Sequence, residues 1–216
     1  MGRLMVDNSA ETDRLLDRAR GGDRGALNEL FSRHRERLRR MVELRLDHRL
    51  QGRIDSSDVI QEACVDAVAR LDDYLRAPAY PLFLWMRLIV GERLLKLHRH
   101  HLGTQLRDAA LEVSIYRGAL PAASSAALAA QLLGKHTSPT QAAVRAERMI
   151  RLQEALNALE PIDREILSLR NLEELSLAET ALALEIEEAA AAKRYVRALK
   201  RLKAVLAAMP GGLDNV

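Results

Sequence analysis

Between Lys193 and Lys203 stand six cations, Lys193, Arg194, Arg197, Lys200, Arg201 and Lys203, with no acid among them. A solvated helix face usually interleaves acids with its lysines. This run instead suits a polyanion such as nucleic-acid phosphate, although a plain solvated basic face has the same composition. At 100° per residue all but Lys203 fall within about a third of the circumference. Val196, Leu199, Leu202 and Leu206 are expected on the opposite, packing side. A second pattern is acidic. Asp58, Glu62 and Asp66 recur every four residues. They lie away from an apolar face of Val59, Ile60, Ala63, Ala67 and Leu71. Such a stripe either meets a basic partner surface or is simply solvated. A third group is basic again: Arg87, Arg93, Lys96 and Arg99, ending in His98-Arg99-His100-His101.

Covalent chemistry is poorly provided for. The sequence has no Gly-rich phosphate loop and no Ser/His/Asp or Cys/His arrangement in a recognisable context. Cys64 lies among apolar and acidic neighbours, which do not favour a thiolate. Adjacent His100 and His101 point in different directions on a helix, and no Cys or Asp joins them as a spaced ligand set. The expectation is a protein that works by binding: not an enzyme, with no catalytic residues, no metal and no cofactor.

Bulk properties agree. The chain has 216 residues, 29% charged and 48% hydrophobic, enough of both for a soluble folded core. Aromatics are 3%, unusual for a β-sandwich or barrel. The net charge is only +3, so the placement of cations matters more than their total. One cysteine excludes an internal disulfide and fits a reducing compartment. The apolar run at Pro81–Met86 is cut by Arg87, far short of the ~18 residues that span a bilayer. Met1–Asp13 is polar, without an apolar signal core. A cytoplasmic protein with no membrane insertion is expected.

These patches must be held by helices. Leu15, Leu16 and Ala19 form a short patch closed by Gly21-Gly22. Asp23 could cap a second helix carrying Leu27, Leu30, Phe31, Leu38, Met41, Val42 and Leu46. Asp55 starts a third, with Asp58 in a variant capping box. Arg76–Pro81 reads as a loop, and a fourth helix runs from about Leu82 to His101. Residues 103–138 read as a linker with a short helix around Ala126–Leu133; its Leu106, Leu111, Val113 and Ile115 are apolar enough to pack. Ser138 or Thr140 could cap the next helix, and Pro161 opens another. A short helix follows Ser176, with Glu179 at the capping-box position. The last starts near Glu187 and ends before Pro210. The fold class is therefore all-α. Two small helical domains, 1–102 and 139–216, flank the linker, and the last two helices have the layout of a helix-turn-helix.

Two stretches resemble a known family. Asp55-Ser56-Ser57-Asp58-Val59-Ile60-Gln61-Glu62 resembles the D-x-x-D-hydrophobic-hydrophobic-Q-E signature of bacterial RNA polymerase sigma factors. Leu159–Leu167 followed by Leu175–Ala181 resembles their C-terminal domain. The size looks like the extracytoplasmic-function (ECF) group. The resemblance implies a promoter-specificity subunit that binds core RNA polymerase and promoter DNA in the bacterial cytoplasm. An anti-sigma factor is the further partner it implies. It places Asp58, Gln61, Glu62 and Asp66 on the polymerase clamp. It places the loop and fourth helix, with Tyr74, Arg76, Tyr80, Arg87, Arg93, Lys96 and Arg99, at the minus-10 element. Tyr74 and Tyr80 either stack on exposed bases or cover the core; Trp85 and Ile89 match the family's core pattern. Lys193, Arg194, Arg197, Lys200 and Arg201 are expected at the minus-35 element. The chain departs from the family in three places. Gly91-Glu92 stands where Arg-Asn is common, Glu185 stands where the turn commonly has Gly, and the last helix opens Glu187-Glu188-Ala189-Ala190-Ala191-Ala192. Alanine touches a thymine methyl but makes no hydrogen bond to a base, so base reading is either weaker or rests on Lys193, Arg194 and Arg197. The alternative function is a helix-turn-helix regulator that acts without polymerase.

Overall fold

The computed structural model describes residues 3–102, 120–133 and 142–208. Among them are nine helices and no strand. The N-terminal half holds α1 (Arg3–Arg20), α2 (Arg24–Arg45), α3 (Ser56–Arg76) and α4 (Leu82–Leu102). A connecting helix, α5 (Ser125–Leu132), follows. The C-terminal half holds α6 (Ala142–Asn157), α7 (Pro161–Asn171), α8 (Leu177–Leu184) and α9 (Glu188–Ala208).

The helices start where side chains replace missing backbone partners. The Asp23 carboxylate accepts from the Gly25 and Ala26 N–H groups at 2.8 and 3.2 Å. Asp55 accepts from Ser57 N–H at 2.8 Å. Ser176 and Glu179 form a reciprocal capping box, with bonds of 3.1 and 2.7 Å. Each such cap contributes about 1 kcal/mol. Pro161 opens α7, where its missing N–H costs nothing.

In the N-terminal half α2 packs on α1, α3 and α4. Leu30, Leu38, Met41 and Leu44 are fully buried there, with Val59, Ile60, Ala63 and Ala67 from α3 and Leu84, Met86 and Leu94 from α4. In the C-terminal half α9 lies across α7, α8 and α6. Its core includes Leu156, Ile166, Leu169 and Ala183.

The segment 120–133 is packed rather than loose. Leu120, Ala123, Leu128 and Ala129 are buried. The Ser124 N–H donates to the Leu44 carbonyl at 2.8 Å, and Ser124 caps α5. Ser125 Oγ accepts from Arg164 at 3.1 Å, which ties α5 to α7. Leu120 rests on α4 at Gly91, where a Cβ would stand 1.8 Å from Leu120 Cδ2. Leu106, Leu111, Val113 and Ile115, and the caps expected at Ser138 or Thr140, lie outside the described residues.

Candidate nucleic-acid interface

The α8–turn–α9 unit is closed by Glu185 in the left-handed conformation, φ 52° and ψ 41°. The Ile186 N–H donates back to the Ala181 carbonyl at 3.0 Å and the Glu185 N–H to the Leu182 carbonyl at 3.2 Å, the bond pair of a Schellman motif. The turn therefore has the shape that glycine commonly supplies, built with a residue that strains to adopt it.

The rotation of α9 differs from the expectation. Val196 and Leu199 are 50% and 41% exposed. The buried side instead runs through Ala191, Ala198 and Leu206, flanked by Tyr195, Leu202 and Val205. The small alanines let α9 approach α7 closely, and position along the helix outweighs side-chain hydrophobicity. Arg194 and Arg201 consequently lie at the edge of the packed side. Both reach Asp163 of α7, which is fully buried: Arg194 at 3.4 Å and Arg201 at 2.6 Å. Arg201 also pairs with Glu160 at 3.2 Å. These two arginines, 30% and 41% exposed, are thus paired within the protein, whereas the other cations of the expected five are not held by α7. Lys193, Arg197 and Lys200 face outward, with Lys203 beside them. Ala189 and Ala190 are exposed at the start of the same face.

On α3, Asp58, Gln61 and Glu62 are exposed and Asp66 is half-buried. Val65 and Val68 stand exposed among them, at 67% and 49%. The face is thus acidic with an apolar strip, not acids alone. Glu62 is bonded by Arg93 Nε of α4 at 2.6 Å. Cys64 is half-buried, and burial pushes its thiol up to about 11, so it stays protonated near neutrality.

Around the α3–α4 loop, Tyr74 is buried and stacks on Trp85 with ring centroids 4.4 Å apart. Its hydroxyl donates to the Tyr80 carbonyl at 3.1 Å. Of the two tyrosine roles, Tyr74 takes the core-covering one. Tyr80 and Trp85, both half-buried, line a cavity of about 320 Å³ with Arg70, Asp73 and Leu88. Arg76 is exposed and pairs with Asp73 at 3.0 Å; Lys96 and Arg99 are exposed on α4. His98 is buried, and its Nε2 accepts from Asp47 N–H at 3.3 Å.

Arg87 departs from expectation altogether. It is fully buried, and its Nε donates to Glu173 at 2.6 Å. It cannot touch DNA from there. Glu173 lies in the turn after α7, so this bond joins the two halves of the molecule. Arg45, also buried, pairs with Glu173 at 2.6 Å and with Glu165. Arg37 sits 3.6 Å over the Phe83 ring and donates to the Glu173 and Glu174 carbonyls at 2.9 and 3.1 Å. Arg40 pairs with Glu174 at 2.7 Å. Burial alone would push the Glu173 carboxyl up; Arg45 and Arg87 outweigh it and hold it at about 2. Sequence reasoning missed this seam. Its one local signal was an arginine inside an apolar stretch, at Arg45 and again at Arg87.

The arrangement defines a class: a helical protein whose C-terminal helix-turn-helix presents a basic face and whose N-terminal half presents an acidic one. Residues 149–202 match the family model "Sigma-70, region 4". The chain is 30% identical over 199 residues to the ECF RNA polymerase sigma factor SigD of Mycobacterium tuberculosis, covering 92% of this chain and 85% of that one. The SigD of Mycobacterium bovis matches equally. The solved structure of CnrH in complex with the cytosolic domain of CnrY shares the fold, with a TM-score of 0.55 and 22% identity, covering 93% of this chain and 99% of that one. The chain belongs to the ECF family of RNA polymerase sigma factors. It is a promoter-specificity subunit that binds core polymerase and promoter DNA. Among the described residues no helix is long and apolar enough to cross a membrane.

Proposed function

We propose that the surfaces divide the work as follows. The exposed α3 face, Asp58, Gln61 and Glu62 with Val65 and Val68, docks on core polymerase. Its acids supply charge complementarity, and its valines supply apolar area that a solvated face would not need. Tyr80, Arg76, Lys96 and Arg99 serve the minus-10 element, with Arg93 released from Glu62 on docking. The cavity beside Tyr80 and Trp85 suits a base turned out of the stack, whose cost of a few kcal/mol stacking offsets. The outward face of α9, Lys193, Arg197, Lys200 and Lys203, serves the minus-35 element.

The two working units correspond to 1–102 and 139–216, joined by 103–138. The protein acts by binding alone, in the cytoplasm, without chemistry of its own. CnrH was solved with the cytosolic domain of CnrY bound to it, and that likeness supports an anti-sigma factor as a further partner of this chain.

The observation that carries the reading is the pairing of an exposed acidic-apolar helix face with an exposed basic recognition-helix face on one chain. Core polymerase supplied with this protein and a genomic fragment library should start transcripts at a defined set of promoters. Asp58→Arg with Glu62→Arg should abolish those starts by weakening core binding about 100-fold, since like charges across an interface cost several kcal/mol. Promoter binding with unchanged core affinity in that variant would favour a regulator that acts without polymerase.

A further inference from the structure

The packed side of α9 fixes which residues stand farthest from the rest of the protein. Ala191 and Ala198 are buried, and at 100° per residue the line opposite them runs through Ala189, Lys193, Val196 and Lys200. All four are exposed, and Val196 is the one large apolar side chain among them. A valine in the middle of a basic face adds nothing to the attraction for phosphate. The exposed acids at the helix start, Glu187 and Glu188, lie off this line by about 80° or more.

The hydrogen-bonding inventory of α9 narrows what the line can read. Glu188–Ala208 contains no Asn, Gln, Ser or Thr. Tyr195 donates its hydroxyl proton to Asn171 Oδ1 at 2.9 Å, and Arg194 and Arg201 pair with Asp163. The groups left are Glu188, which suits the cytosine amino group, and Lys193, Arg197, Lys200 and Lys203, which suit guanine or phosphate. None makes the bidentate pair that Asn or Gln forms with adenine. The feature of an A·T pair left for this helix to recognise is the C5-methyl group of its thymine.

We infer that Val196 is a specificity-determining residue that packs on a thymine methyl in the major groove. The inference rests on the outward face of α9 serving the minus-35 element, and it names the kind of base pair that face selects. Ala189 and Ala190, small and exposed, leave the first turn without bulk, so the helix settles deep enough for its third turn to reach a base edge. Val196 offers two methyl groups and, being β-branched, has little rotamer freedom to lose on contact. Lys193 and Lys200, one turn to either side, hold the helix in the groove by charge.

The test removes one methyl group without touching a hydrogen bond. Deoxyuridine replaces each thymine of the minus-35 element in turn, on both strands of a promoter recovered by transcription from genomic fragments. Holoenzyme affinity is then measured. Wild type should lose about fourfold at one thymine at least, the factor carried by burial of a single methyl group. In Val196→Ala the loss at that thymine should shrink below about twofold, as a double-mutant cycle shows for groups in contact. The variant should keep its fold, because Val196 is exposed and alanine favours the helix. Its salt slope should match wild type, because no charge has changed. Deoxyuridine without effect, a loss undiminished in Val196→Ala, or an element with no thymine on either strand would each overturn the inference. If replacing Lys193, Arg197 and Lys200 with alanine still lowers the salt slope in that case, α9 keeps its place at the minus-35 element and methyl reading alone fails. An unaltered slope in that triple variant would remove both.

Discussion

Leu120 occupies the space beside Gly91 that any side chain would need. The contact joins the segment before α5 to the middle of α4, and it explains why glycine stands at that point of an otherwise regular helix. Gly91→Ala should displace Leu120 without unfolding α4, because the obstructing atom is the end of a leucine that can swing away. Alanine also favours the helix, so the net loss should stay near 1 kcal/mol. Hydrogen exchange should show lost protection confined to 120–133; loss spread over α2 and α4 would contradict the local account.

The two groups of cations on α9 should separate in experiment. Lys193→Ala, Arg197→Ala and Lys200→Ala together should reduce the log–log salt slope of promoter binding by about 0.9 per residue. Their effect on stability should be slight, since all three are exposed. Arg194→Ala with Arg201→Ala should do the reverse. They leave Asp163 buried and unpaired, at a cost of about 3 kcal/mol. Holoenzyme–promoter titrations against salt and urea unfolding of the free chain measure the two effects.

His34 is buried against Phe83, with ring centroids 5.4 Å apart. Burial first, and then Arg37, push its pKa down from 6.5 to about 4; Arg33 adds to this and Glu179 opposes it. The folded chain thus prefers neutral His34. Its contribution to stability is full above pH 6.5 and is lost as pH falls from 6.5 towards 4. The slope should approach one proton, about 1.4 kcal/mol per pH unit. Glu173, held at about 2, keeps its charge throughout that window. Urea midpoints at pH 7 and pH 4.5 should differ markedly for wild type and much less for His34→Gln.

Glu185 supplies a left-handed turn that costs a non-glycine residue about 1 kcal/mol or more. Glu185→Gly removes that strain but loosens the unfolded chain, which returns part of the gain. A net stabilisation of about 0.5 kcal/mol is expected, seen as a small rise in Tm with promoter preference unchanged. A fall in Tm would mean that the Glu185 side chain contributes contacts of its own.

The helices were legible because their signals are local. Asp23, Asp55, Pro161 and the Ser176–Glu179 box mark starts within a few residues of the chain, and the short helix near Ala126 was marked by Ser124 and a run of alanines. The rotation of α9 was not legible. Ala191 and Ala198 are buried by the nearness of α7, and alanine looks the same in sequence whether covered or bare. Val196 and Leu199 drew the expected packing side away from it. Arg87 looked like a DNA contact because its partner, Glu173, is 86 positions distant. Charge pairing at that range leaves no periodicity to read. Tyr74 was ambiguous for a similar reason, since only the stacked Trp85 decides which side of it is covered.

Asp163 takes hold of α9 at two points seven residues apart, Arg194 and Arg201, and Ala191 and Ala198 repeat the same interval on the packed side. Seven residues are two helical turns, so the grips fall one above the other. The carboxylate therefore works as an indexing pin. A turn of α9 about its axis by one residue, 100°, would pull both guanidiniums off the pin at once. On the proposed reading, the face offered to a DNA groove is thus chosen from behind, by a carboxylate buried on the opposite side of the helix. If that reading holds, a change at Asp163 should alter promoter preference before it alters how strongly any promoter is held.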